Sequence, residues 1–168
     1  MNWLMADRLL RQHGMTFPTE AQWEDACRAG AGTPWWSGAS SASLLDVANV
    51  YDAAAARRSP LQQAHEAFDD GHDLHAPVGS FRPNAFGMHD MHGNIGEWCL
   101  DAPAPNGLGF RPGDGARPAS ERMGDRAARG GSYQQTAWSC RCSTWVFGAL
   151  EERTIDLGLR ATRRLPPR

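Results

Sequence analysis

The stretch "APVGSFRPNAFGMHDMHGNIGEWCLD", residues 76–101, decides the fold. Glycine, proline, asparagine and aspartate turn the chain every few residues, and single aromatics sit between the turns. Strand-like content is confined to its two ends, "APVGSF" and "IGEWCLD". Three later blocks, "RAARGGSY", "SCRCSTWVF" and "IDLGLRAT", read the same way. Upstream the period becomes helical. From Trp3 to Gln12 the apolar residues Trp3, Leu4, Leu9 and Leu10 are interspersed with Asp7, Arg8 and Arg11, and Gly14 ends the run. In "MTFPTEAQWEDACRAG", Thr19 and Gln22 stand at the spacing of a capping box, Trp23 and Cys27 share one face, and Gly30 stops the helix. Cys27 therefore reads as a small core residue. The pattern predicts an α+β domain: two N-terminal helices, then a small, loop-dominated antiparallel sheet with long irregular loops.

At 168 residues the chain is one ordinary domain, 1–168, large enough to bury a core without staples. Its formal net charge of −2 leaves no basic footprint for nucleic acid or an anionic membrane surface. All 17 basic residues are arginine, which excludes lysine Schiff-base chemistry and fits a prokaryotic origin. Four cysteines are too few and too scattered for a disulfide miniprotein. No apolar run is long enough for a bilayer, and the arginine-rich start, with Asp7 and no small-residue cleavage site, reads as a structural helix. These features predict a soluble, cytoplasmic protein. The alanine-rich segment at 53–66 reads as a short helix or a mobile insertion.

Four constellations carry candidate chemistry. "FDDGHD", with Asn49 and Asp52 upstream, gathers oxygens of the kind a hard cation takes, yet lacks EF-hand spacing, and on pattern alone a solvated acidic turn is favoured. "MHDMHGNIGEW" places Asp90, Asn94 and Glu97 on turn-forming backbone, either a second oxygen site or a tight turn. His72-x-x-His75 and His89-x-x-His92 invite zinc, but turns enforce no common face and no cysteine pair stands nearby at finger spacing. Cys140-x-Cys142 reads as one face of a strand, either two thiolates for Cu(I) or two small core residues, with core favoured.

Taken in order, "FPTEAQWEDACRAG", "ANVYD", "APVGSFRPNAFGMHDMHGNIGEWCLD", "RGGSY", the Cys140-Arg141 pair and the closing "GLR" resemble the formylglycine-generating enzyme, or sulfatase-modifying factor, family. The resemblance covers most of the chain apart from the alanine-rich segment and "APAPNGLGFRPGDGARPASERMG". It implies a C-type-lectin-like α+β fold with structural Ca2+. One calcium site maps to Asn49, the Val50 carbonyl, Asp70 and the His72 carbonyl. The other maps to Asp90, the Gly93 and Ile95 carbonyls, and Glu97, with Asp90 where the best-known enzymes have asparagine.

Catalytic relatives carry two cysteines five residues apart that bind Cu(I) and activate O2 to oxidise a substrate cysteine in C-x-P-x-R to Cα-formylglycine. On that pattern Ser132 and Cys140 match the active-site serine and the second cysteine, but the first cysteine falls on Gln135, an amide unsuited to a soft cation. Gly96 also replaces an aromatic of the family's "WEW". Cys142 would stand in for the missing thiolate only across the roughly 7 Å that separates strand neighbours two apart. The expectation is therefore a calcium-stabilised binding or assembly domain without the oxidase activity; the alternative is the copper oxidase, with Ser132 and Cys140 catalytic.

By the same resemblance, which extends to retroelement-diversified receptors, a protein or small-molecule ligand would meet Tyr133, Gln135, Trp138, Trp145 and Phe147 on the C-terminal face. Family domains carry a further N-terminal portion before the equivalent of the first helix. A homo-oligomer or a partner domain is accordingly expected to complete the sheet.

Overall fold

The computed structural model describes residues 1–61, 64–103, 111–113, 115–117 and 124–163. Two helices come first, α1 (Trp3–Gln12) and α2 (Glu20–Arg28). The Asn2 side chain caps α1 by accepting from Met5 N, and Thr19 with Gln22 closes the capping box of α2. A short helix α3 (Ala53–Arg58) follows, started by Asp52, whose carboxylate accepts from Ala54 N and Ala55 N. Of the alanine-rich segment at 53–66, residues 53–58 form this helix; Gln62 and Gln63 lie outside the described residues. In "APAPNGLGFRPGDGARPASERMG", residues 104–110, 114 and 118–123 lie outside them too.

Four strands, β1 (Gly96–Trp98), β2 (Asp125–Arg129), β3 (Trp145–Ala149) and β4 (Leu157–Leu159), make one sheet in the order β3-β2-β1-β4. β2 is antiparallel to β1 and to β3, but β4 runs parallel to β1, so the sheet is mixed rather than wholly antiparallel. β4 takes that direction because residues 150–156 carry the chain back across the end of the sheet, where Gly96 N donates to Asp156 O at 2.8 Å.

The sheet separates two of three cores. Trp98 and Ala128, cross-strand neighbours, face α1 and pack with Trp3, Ala6, Leu10 and Phe17. Ala127, one residue along and so on the opposite face, packs under α2 with Trp23, Cys27, Met91, Cys99 and Cys142. The third core lies under the loops: Trp35, Leu44, Val47, Ala48, Val50, Ala137 and Cys140.

Two expected strands do not form as such. Ala76, in "APVGSF", finds an amide partner instead of a strand: its N–H donates to Asn94 Oδ1 at 2.9 Å, and Asn94 Nδ2 donates to its carbonyl at 3.1 Å. "SCRC" is split between a 3₁₀ turn (Ala137–Cys140) and an extended Arg141, and strand geometry begins only at Trp145.

Helix and sheet layers are joined by charge inside the protein. Arg129, at the end of β2 on the Ala127 face, places Nε 3.1 Å from Glu20 Oε2 and Nη1 3.2 Å from Glu24 Oε2. The Arg129 and Glu20 side chains are 2% and 1% exposed. Removing one partner strands the other charge out of water, so Arg129→Met or Glu20→Gln is expected to lose about 3–5 kcal/mol in urea unfolding. A loss below 1 kcal/mol in both would show that the pair does not anchor the layers.

Candidate functional site

The end of β2 shapes the site. After Arg129 the backbone turns through Gly130 and Gly131, both at positive φ, and presents Ser132. A Cβ on Gly131 would collide with Cys140 Sγ, so the turn requires glycine on both conformational and steric grounds. Between this turn, Gly96, the strand β3 and the return segment 152–157 opens a cleft of about 200 Å³. Ser132 Oγ donates to Asp156 Oδ2 at 3.0 Å and accepts from Gln134 N at 3.3 Å. Trp145 and Phe147, two apart in β3, share a face with ring centroids 5.9 Å apart, and Phe147 is 56% exposed. Glu152 and Asp156 add two carboxylates to the wall. Neither has an ion-pair partner among the described residues.

Of the residues singled out by sequence for ligand binding or catalysis, Ser132, Gln135, Trp145 and Phe147 meet in this cleft. Tyr133 does not. It is buried, its ring lies 4.6 Å from that of His75, and it lines a separate depression with Tyr51, Leu74 and Ile155. Trp138 stands outside as well, 67% exposed with the Arg141 guanidinium 3.7 Å above its ring. Asp156 and Glu152 escaped the sequence reading; the acidic run before "GLR" was the available signal.

Cys140 lies beneath the cleft rather than in it. It is fully buried in the loop-side core, and burial pushes its thiol up to about 12. Cys142 enters the other core, under α2. The two cysteines do not share a strand face, because a 3₁₀ turn ends at Cys140 and breaks the two-residue alternation.

The acidic turn resolves into separate roles. Asp69 pairs with Arg57 at 2.6 Å and Asp73 with Arg58 at 3.0 Å, all on the surface. Asp70 turns inward, accepting from Val50 N at 3.2 Å and His72 N at 2.9 Å. Burial and, behind it, the neighbouring Asp52 push the Asp70 carboxyl up to about 6. Nearby, Asn49 is wholly buried and its Oδ1 has no hydrogen-bond donor. Asn49 also forms a bridge with Gly93, where a Cβ would overlap the Asn49 carbonyl, so the two oxygen-rich segments touch.

In the second segment Asp90 Oδ2 accepts from Gly79 N at 2.7 Å while Oδ1 is buried without a donor. Glu97 is committed elsewhere. Arg160 holds both its oxygens, at 2.8 and 2.7 Å, and Trp23 Nε1 donates to Oε2 at 2.7 Å. Ile95 packs its side chain on Gly158 of β4. The histidine pairs separate: His75 reaches Ile155 O, His89 reaches Phe81 O, and His92 reaches Cys140 O.

A family model described as "Sulfatase-modifying factor enzyme 1-like domain" matches residues 2–165. The formylglycine-generating enzyme of Streptomyces coelicolor is 34% identical over 165 residues, covering 93% of this chain and 47% of that protein. The mouse enzyme of the same name is 29% identical, covering 91% and 40%. The chain thus spans about half the length of the curated relatives it matches. Among solved structures, PvdO from Pseudomonas aeruginosa superposes with a TM-score of 0.80 at 27% identity, over 98% of this chain and 60% of that one. Treponema denticola variable protein 1 gives 0.63 at 28%, over 88% and 46%. Among the described residues no helix is long and apolar enough to cross a membrane.

Cys140→Ala, which opens a small void away from the cleft wall, is expected to cost about 1 kcal/mol in urea unfolding and to leave ligand affinity unchanged. Loss of ligand binding at unchanged stability would place the thiol in the site.

Proposed function

The chain belongs to the sulfatase-modifying factor enzyme 1-like family, and from that premise we propose that it is a calcium-stabilised binding domain whose cleft takes a ligand bearing a cationic group, without the family's copper oxidase centre. The observation that carries this reading is the cleft itself. Its wall combines two aromatic rings with Glu152 and Asp156, two carboxylates that no described guanidinium neutralises. Aromatic side chains supply contact area with few rotors to freeze, and a carboxylate next to a low-dielectric wall favours a cation over a neutral group. An arginine- or lysine-bearing protein segment has this chemistry.

Copper chemistry as the family builds it would need a thiolate at Gln135, where the neutral amide lines the cleft, and a second at Cys140, whose buried thiol holds its proton. Asp156 fixes the Ser132 hydroxyl, and no histidine stands at hydrogen-bond distance to serve as its base among the described residues. The site's polar groups are therefore arranged to hold a ligand.

The calcium reading rests on the first oxygen cluster. Asn49 Oδ1 is buried with no donor, and Asp70 is an inward carboxylate pushed upward by burial; both relax if a cation sits between them. Asn49 and Asp70, with the carbonyls of Val50 and His72, would hold the ion, and its charge would pin the loops of the third core. The second cluster fits less well. Asp90 offers one orphaned oxygen, but Arg160 already neutralises Glu97, so a calcium there with Gly93 and Ile95 would have to share that carboxylate.

Two measurements test these readings. Chelation with EDTA should lower the melting temperature by several degrees and added Ca2+ should restore it, with Asp70→Ala abolishing the response; an identical melt with and without Ca2+ would overturn the calcium assignment. In isothermal titration against extended peptides, basic sequences should bind and acidic ones should not. Asp156→Asn and Phe147→Ala should each weaken binding about ten-fold at unchanged melting temperature. Equal binding of acidic and basic peptides would remove the cationic specificity. A proposed dimer, joined through an edge strand of the sheet, should appear in light scattering as twice the chain mass.

A further inference from the structure

Away from the cleft, the core under α2 brings together two thiols that lie 115 residues apart in sequence. Cys27 Sγ is 3.2 Å from Cys142 Sγ and donates to it, and both residues are fully buried. His92 completes the only group of three potential soft-metal ligands among the described residues. Its ring is already engaged, however. Nδ1 lies 2.7 Å from Cys140 O and Nε2 accepts from Trp36 N at 3.2 Å, which leaves no lone pair for an ion. The sulfurs are also closer than the roughly 3.8 Å that two thiolates span on a tetrahedral zinc with Zn–S of about 2.3 Å.

We propose that Cys27 and Cys142 are a redox pair that closes to an intramolecular disulfide, stapling α2 to the segment that leads into β3. The backbone on both sides is already fixed. Cys142 N donates to Pro34 O at 2.9 Å, Arg129 Nη1 donates to Cys142 O at 3.0 Å, and Asn84 Nδ2 donates to Cys27 O at 3.2 Å. Closing the gap from 3.2 Å to a bond of about 2.05 Å brings the sulfurs about 1.2 Å closer. Of the other thiols, Cys140 belongs to the loop-side core, and Cys99, in the same core as the pair, directs its Sγ to Glu97 O.

The chemistry is thiol–disulfide exchange with a low-molecular-weight disulfide as oxidant. A Cys142 thiolate attacks one oxidant sulfur, forming a mixed disulfide as the oxidant's S–S bond breaks and releases a thiolate. Cys27 then loses its proton and attacks the Cys142 sulfur, expelling the second thiol. Two protein thiols are oxidised and one disulfide is reduced to two thiols. The two cysteines can exchange these roles, because the contact that sets their thiols apart in the folded core forms only as α2 docks. Since both sulfurs are closed off from solvent, exchange proceeds as the chain folds, before α2 docks.

The link would tie the helix layer to the strand bearing Trp145 and Phe147. The test equilibrates unfolded protein in glutathione buffers from fully reducing to oxidising, refolds it, then alkylates under denaturing conditions and weighs it. Reduced protein should take up four alkyl groups and oxidised protein two, with a Cys27–Cys142 linked peptide on digestion. Oxidation should raise the melting temperature by roughly 10 °C. Cys140→Ala should still form the link, while Cys142→Ser and Cys27→Ser should each take up three alkyl groups under all conditions. Four alkyl groups in every buffer, a link involving Cys99 or Cys140, or zinc or copper retained by the wild-type protein in native mass spectrometry would each overturn the proposal.

Discussion

The buried contact between Arg129 and Glu20 is the constraint on which the rest of the structure depends. Burial pushes the Glu20 carboxyl up from its ordinary value, and Arg129, then Arg117, pull it back. The same guanidinium also donates to the carbonyl of Cys142 and, at 3.5 Å, to that of Thr144. One side chain thereby fixes the start of α2, the end of β2 and the turn that launches β3. A buried pair of this kind adds less net stability than an apolar replacement of the same shape, but it accepts only one register. Among short strands and long loops, its contacts join α2, the end of β2 and the turn into β3 beside the cleft.

The helices were the most legible part of the fold. Thr19 and Gln22 carry a local signal, a capping box, whose physics acts within one turn and needs no tertiary context. The sheet was less so. "APVGSF" has strand composition, but the Asn94 side chain supplies both of Ala76's hydrogen bonds, a partner that no local pattern announces. "SCRC" alternates like a strand, yet Ala137–Cys140 winds into a 3₁₀ turn, which sends Cys140 and Cys142 into different cores. The parallel direction of β4 depends on a seven-residue crossing that carries no periodicity of its own.

The same division holds for the site. Ser132, Trp145 and Phe147 were singled out by the resemblance to the family's "RGGSY" turn and C-terminal face, and all three line the cleft. Tyr133 belongs elsewhere because Gly131 redirects the chain and the ring finds His75. Asp156 and Glu152 reach the cleft from the far end of the sequence through the β1–β4 pairing, which is tertiary information. The sorting of "FDDGHD" into two surface ion pairs and one inward carboxylate likewise follows from α3, whose Arg57 and Arg58 claim Asp69 and Asp73. The pairing of Cys27 with Cys142 required the sheet as well, since nothing near either residue points to the other.

A binding cleft in place of an oxidase centre is tested most directly by the reaction its catalytic relatives are expected to perform. The protein is loaded with Cu(I), supplied with O2 and a thiol reductant, and incubated with a C-x-P-x-R peptide whose mass is followed. The arrangement of Gln135 and Cys140 predicts that the peptide keeps its cysteine throughout. Conversion of that cysteine to an aldehyde, lost in Cys140→Ala, would contradict it and make the buried thiol part of a working copper site.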